Sequence, residues 1–201
     1  MVKNIVFDMG NVLLRFDREE FLDAAGVAKE DREILLRRVF LSTDWVKLDW
    51  GTHDEAEAVE RMCLGLPARL HPAVHQLVEC WDEPIRPMAG MEALVRELKD
   101  KGYSLYLLSN ASRRQHAYWP RVPGQDCFAG TVISADLGVI KPDAAIYEAL
   151  YKKFSLKPEE CLFIDDSPYN IEGGIRTGMD GIVFYGDVPA LRAELKARSI
   201  L

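Results

Sequence analysis

Four polar groups in this chain follow runs of apolar residues, and their types are complementary. Asp8 ends the run Asn4-Ile5-Val6-Phe7. Ser109 and Asn110 follow Ser104-Leu105-Tyr106-Leu107-Leu108. Lys141 lies in Gly138-Val139-Ile140-Lys141-Pro142, shortly after Thr131-Val132-Ile133. Asp165 and Asp166 follow Cys161-Leu162-Phe163-Ile164. Taken singly, most of these have ordinary structural explanations. An aspartate after a strand closes a turn, a Ser-Asn pair caps a turn or helix, and a lysine before a proline is a solvated loop charge. The adjacent pair Asp165-Asp166 is harder to explain in this way. Two carboxylates at the end of a buried run repel, and one takes up a proton unless a cation stands nearby. A hard divalent ion held by oxygen ligands, with magnesium the expected one, removes the conflict. Together the groups supply the parts of a phosphoryl-transfer site. A carboxylate attacks phosphorus and gives an acyl-phosphate, and a divalent ion screens the repulsion between the two anions. A hydroxyl, a backbone amide and a lysine hold the equatorial oxygens.

The elements that carry these groups must bring them together. The four runs above, with a fifth at Gly181-Ile182-Val183-Phe184-Tyr185, are rich in β-branched and aromatic residues and do not alternate with polar ones. Such runs suit parallel strands buried on both faces. Helical patterns lie between the later runs, at Gly90–Lys101, Pro142–Phe154 and Asn170–Thr177. The alternation predicts an α/β fold: a Rossmann-like parallel sheet flanked by helices, with right-handed crossovers. The carboxyl ends of its strands then share one edge, where open α/β folds take their ligands. The stretch from Phe16 to Pro84 carries no strand pattern. It reads as helices over Arg18–Ala25, Glu30–Leu41, His53–Leu64 and Pro72–Trp81, punctuated by Gly26, Gly51 and Pro67. The expected organisation is an α/β core of residues 1–15 and 85–201, with an α-helical cap domain of residues 16–84 inserted after the first strand.

Composition narrows the partners. The chain has 201 residues and a formal net charge of -7. That balance does not suit a duplex nucleic acid as main ligand, because phosphate backbones are held by clustered Lys and Arg; a local basic site for a small phosphorylated metabolite is compatible with it. No run is long enough to span a bilayer, and the start MVKNIVFDMGNVLL lacks a signal-peptide pattern. Cys63, Cys80, Cys127 and Cys161 have no paired short spacing and read as reduced thiols of a cytoplasmic protein. His71 and His75 are four apart but have no third metal ligand nearby. Trp45 and Trp50 read as packing residues of the cap. Arg15 and Asp17 either face the site or lie on hinge surface.

Four strings carry a family resemblance. FDMGNVLL, LLSNAS, KPDAAIY and FIDDSPYNIEG resemble, in order and spacing, the four motifs of the haloacid dehalogenase superfamily. The resemblance covers essentially the whole chain, the helical insert included. It implies a magnesium-dependent phosphatase acting on a small phosphorylated metabolite. Asp8 is then the nucleophile and a metal ligand, and Gly10 gives the metal its backbone carbonyl. Ser109 and Asn110 bind phosphate, Lys141 neutralises phosphate and Asp8, Asp166 is the direct metal ligand, and Asp165 is a supporting or second ligand. One departure stands out. Phosphatases of the superfamily usually carry an aspartate two residues after the nucleophile to protonate the leaving group, and here that residue is Gly10. The Gly10-Asn11 pair resembles a bacterial subgroup of sugar-phosphate phosphatases, notably for α-glucose-1-phosphate. Without the acid, turnover should favour anomeric, acyl and aryl phosphates, whose leaving groups need little protonation. Three other readings share some features. A 2-haloacid dehalogenase needs no metal, which the Asp165-Asp166 pair argues against. A non-catalytic phospho-ligand binder is compatible with Gly10. A response-regulator receiver places its acidic pair after the first strand, the reverse of the order found here.

Overall fold

The computed structural model describes residues 1–201. Its sheet has five strands: β1 (Asn4–Phe7), β2 (Ser104–Ser109), β3 (Phe128–Ile133), β4 (Cys161–Asp165) and β5 (Asp180–Val183). Their spatial order is β3-β2-β1-β4-β5, and every neighbouring pair is parallel. β1 is central, and all four of its residues are buried. Successive side chains point to opposite faces, so Ile5 and Phe7 join Leu105, Leu107, Leu162 and Ile164 on one side. Val6 joins Tyr106, Leu108 and Phe163 on the other. This two-sided burial makes the runs continuously apolar. Phe7 pairs in register with Leu107 and with Ile164, so Asp8, Ser109 and Asp165 emerge at the same edge.

Between β1 and residue 84 the chain forms five α-helices: α1 (Arg18–Ala24), α2 (Lys29–Arg38), α3 (Thr43–Asp49), α4 (Glu55–Cys63) and α5 (His71–Glu79). They bury a cluster of their own, from Phe21 and Leu22 through Leu35, Val59 and Met62 to Val78. These helices form the inserted cap. Their starts are encoded locally: Ser42 Oγ accepts from the Trp45 amide at 3.1 Å, and Asp54 and Glu57 form a reciprocal capping box. The expected helix over Glu30–Leu41 is α2, which ends at Arg38, and α3 beyond it is a further helix that was not expected. Trp50 is also corrected: it is exposed, and only Trp45 packs against the cap core. The two crossings between cap and sheet run side by side. Leu14 pairs antiparallel with Pro87, and the Arg15 amide donates to Arg86 O at 2.8 Å.

The remaining helices cover the sheet. They are α6 (Met91–Asp100), α7 (Gln115–Tyr118), α8 (Ser134–Leu137), α9 (Ala144–Phe154), α10 (Pro168–Arg176) and α11 (Val188–Ala197). α6 and α11 lie with the Ile5 face, and α9 and α10 with the Val6 face. No helix is long and apolar enough to cross a membrane, and all four cysteines are free thiols.

Candidate active site

The groups after β1, β2 and β4 and the loop beyond α8 meet at the sheet edge around Lys141. Its side chain is 1% exposed, and its ammonium lies 2.8 Å from Asp8 Oδ1 and 2.6 Å from Asp165 Oδ2. It also donates to Leu108 O at 2.9 Å. Burial alone would lower its pKa, but the charges of Asp8 and Asp165 outweigh that and hold it above the ordinary lysine value. Lys141 is therefore a permanently charged counter-ion. The loop carrying it is fixed by Asn110, whose side-chain oxygen accepts from the Lys141 amide at 2.7 Å and whose side-chain nitrogen donates to Lys141 O at 3.1 Å. The Asn110 side chain is thus committed to this loop.

The acidic pair divides by environment. Asp165 is fully buried and its two oxygens are served by the protein: Ser167 N at 2.8 Å, Asn170 Nδ2 at 3.0 and 3.1 Å, and Lys141. Asp166 is half-buried and faces the cavity. Its Oδ2 accepts from Asn11 Nδ2 at 3.1 Å, while burial and the neighbouring Asp165 charge push its carboxyl upward against that hydrogen bond. An oxygen from each of Asp8, Asp165 and Asp166 lies within 4.8 Å of the others. Burial raises Asp8 to about 6, against the lowering effect of Lys141 and with the Asp165 charge reinforcing it. Asp8 Oδ1 sits off the hydrogen-bonding line of Lys141 and has no aligned donor. Crowded, desolvated carboxylates with an unserved oxygen form a donor set suited to a hard divalent cation.

Asn11 organises the loop after Asp8. It adopts a left-handed backbone with φ 55°, a conformation that Asn tolerates better than most residues. Its Oδ1 accepts from the Phe16 amide at 3.1 Å. One side chain thus ties the loop after Asp8 both to the start of the cap and to Asp166. A cavity of about 210 Å³ opens above this cluster. Asp8, Gly10, Ser109 and Asp166 line its floor, and Phe16, Trp45, Leu48, Trp81 and Tyr118 form an apolar wall. Arg15 lines the cavity, whereas Asp17 caps α1 through the Glu19 amide at 2.9 Å. His71 and His75 bond to Leu66 O and Glu79 and belong to no acidic or metal-binding cluster.

Residues 2–178 match the haloacid dehalogenase-like hydrolase family. The chain belongs to that family. Among its relatives is a sesquiterpene phosphatase of Aspergillus oryzae, 28% identical over 90% of this chain and 88% of the other. A D-ribitol-5-phosphate phosphatase of Bacteroides thetaiotaomicron is 27% identical over 90% of each. A crystal structure of a haloacid dehalogenase-family enzyme from Bacteroides thetaiotaomicron, in complex with magnesium and inorganic phosphate, superimposes with a TM-score of 0.73. It covers 95% of this chain and 99% of that one at 20% identity, a likeness of fold.

Two contributors to the cavity escaped the sequence reading. Asn11 was visible only as part of a motif string. Asp49, the last residue of α3, lines the same cavity as Asp8 and Gly10. Its signal was a lone acid in the apolar string Trp45-Val46-Lys47-Leu48-Asp49-Trp50, followed by Gly51.

Proposed function

We propose that this haloacid dehalogenase-like hydrolase is a magnesium-dependent phosphatase that hydrolyses a small phosphorylated metabolite through an aspartyl-phosphate at Asp8. The observation that carries the reading is a fully buried lysine paired with two of three crowded carboxylates at the floor of a cavity. Asp8 and Asp166, with the Gly10 carbonyl, would hold the ion, since Asp165 already has its donors in Lys141, Ser167 and Asn170. Bound there, magnesium supplies positive charge that lets an anionic nucleophile approach an anionic substrate. The chain's own residues do the rest. Lys141 holds Asp8 in place and offers charge to the phosphoryl group, while the Ser109 hydroxyl and the Asn110 backbone N–H serve its oxygens. Asp165 orients Lys141.

The cavity suits a phosphate with a compact organic part. The aromatic wall suits an apolar face, whether the C–H face of a polyol or sugar or a hydrocarbon; the two relatives are named for a sesquiterpene and for D-ribitol 5-phosphate. The test is phosphate release from a panel of sugar, polyol, aryl and short-chain alkyl phosphates, with magnesium and with a chelator. Magnesium-dependent release supports the reading. Halide release from 2-chloropropionate in the presence of chelator, with no phosphate released from any ester, would replace it with a dehalogenase.

A further inference from the structure

The position that usually carries the proton donor is Gly10, yet the cavity holds a third carboxyl at Asp49. Of the acids lining the cavity, Asp8 and Asp166 have roles in the nucleophilic and metal cluster, and Asp49 does not. It reaches the site from the cap. Its backbone carbonyl accepts from Ser134 Oγ at 2.5 Å. Two residues on, Gly51 O accepts from Arg113 Nη1 at 3.0 Å, and Nη2 of the same arginine donates to Ala135 O at 2.9 Å. Gly51 has φ +68°, and a Cβ there would lie 2.1 Å from Ala135 O. The end of α3 is thus clasped onto α8, the helix that follows β3, by the Ser134 and Arg113 side chains and by close backbone approach at Gly51. That clasp holds Asp49 at the cavity, which it lines together with Ser112.

We propose that Asp49 is the general acid and base of the hydrolysis, delivered by the cap in place of a carboxyl at position 10; the proposal rests on the phosphatase reading above. As Asp8 Oδ bonds to phosphorus and the ester P–O bond breaks, the Asp49 carboxyl gives its proton to the departing oxygen and becomes a carboxylate. The alcohol leaves. Water then attacks the acyl-phosphate and passes a proton to Asp49, the bond between phosphorus and Asp8 breaks, and inorganic phosphate is released. Both aspartates return to their starting states. The surroundings favour this cycle. Burial first, and the Asp8 charge second, push the Asp49 carboxyl up to about 7, with Lys141 and the Ser112 amide opposing. A carboxyl shifted upward is the direction general acid catalysis needs. Tyr118 faces the same space, and burial holds its phenol neutral, well above the ordinary tyrosine value. Arg15 and Asp166 are the other charged groups on the cavity wall.

The experiment compares wild type, Asp8→Asn, Asp49→Asn and the double variant Gly10→Asp/Asp49→Asn on a series of phosphate monoesters, from p-nitrophenyl phosphate to an alkyl phosphate, with magnesium. The wild type should depend weakly on leaving-group acidity. Asp49→Asn should lose roughly 10²- to 10⁴-fold in kcat/KM on the alkyl ester and far less on p-nitrophenyl phosphate, giving a steep plot. Phosphorylated protein should accumulate in Asp49→Asn, seen by intact mass, because the attacking water has lost its proton acceptor. Gly10→Asp should restore the shallow slope, since the nearest atom to a Cβ built on Gly10 is Phe16 Cβ at 3.9 Å. The slope is a ratio within one preparation, so a misfolded fraction does not alter it. Equal losses across the series, or no loss, with wild type active and Asp8→Asn dead, would overturn the role of Asp49 alone. A wild type that releases phosphate from no ester would overturn the phosphatase reading and the proposal with it.

Discussion

Replacing Lys141 with Met removes one charge from the centre of the site, and the structure sets the size of the effect. The ammonium is 1% exposed and lies within 2.8 Å of two carboxylates. Removing one partner of a buried ion pair typically costs about 3–5 kcal/mol. The loss falls mainly on Asp8, because Asp165 keeps donors from Ser167 and Asn170 while Asp8 Oδ1 keeps no aligned donor. Asp8 stands at about 6 even with Lys141 opposing its burial; without the lysine it moves higher. The sign follows from linkage. A carboxyl whose folded pKa is raised above its unfolded value contributes its full stability at low pH and loses it as pH rises through the folded pKa. In the metal-free wild type that loss runs from about pH 4 to about pH 6; in Lys141→Met it continues upward, at about 1.4 kcal/mol per pH unit. Urea unfolding in the presence of a chelator should show the variant about 3–5 kcal/mol less stable at pH 8. At pH 5, where Asp8 is largely protonated in both proteins, the gap should shrink to about 1–2 kcal/mol, the value of the lost hydrogen bonds. A gap below about 1 kcal/mol at pH 8, or the same gap at both pH values, would refute the picture of Lys141 as the counter-charge of a buried carboxylate cluster.

Asp8→Asn should abolish phosphate release, because an amide is a poor nucleophile; turnover surviving in highly purified variant would remove Asp8 from that role. Asp166→Ala should weaken magnesium binding in calorimetry by at least about tenfold with little change in Tm, whereas Asp165→Ala should lower stability by about 3–5 kcal/mol by leaving Lys141 under-paired; the reverse pattern would exchange their roles. Gly51→Ala should cost about 1–2 kcal/mol from the left-handed backbone alone and push α3 off Ala135. Faster hydrogen exchange over residues 43–52 and a kcat/KM loss larger than the stability loss explains would report the undocking, and unchanged exchange would show that the clasp does not hold α3.

The sheet was legible because its chemistry is simple. β1, β2 and β4 are buried on both faces, so their residues read as unbroken apolar runs, and the polar residues at their ends mark the functional edge directly. β3 was foreseen only from Thr131 because it lies at the edge of the sheet, where Ala129 is exposed, and because the Phe154 ring covers Gly130 and leaves no room for a side chain. β5 ends at Val183 rather than Tyr185, since the chain leaves the sheet there and Tyr185 is exposed. α11 was overlooked although Val188, Leu191 and Leu195 recur at helical spacing behind the cap residue Asp187. α3 was hard to see for a physical reason. It has seven residues, of which only Leu48 is buried, so it has no amphipathic stripe to read.

The same contrast explains why the sheet-borne part of the site could be read and the cap-borne part could not. Asp8, Ser109 and Asp165 converge because parallel strands in register must end together, a consequence of local pattern and topology. Asp49 reaches the cavity through contacts between Gly51, Arg113, Ser134 and Ala135, which are distant in sequence and individually unremarkable in type. A donor at position 10 would sit one turn of loop from the nucleophile and be present whether the cap is docked or not. A donor at Asp49 is present only while α3 is clasped to α8. Moving the acid from loop to cap therefore makes protonation of the leaving group conditional on closure: an open cap leaves Asp8 and Lys141 assembled but without the proton the departing oxygen requires.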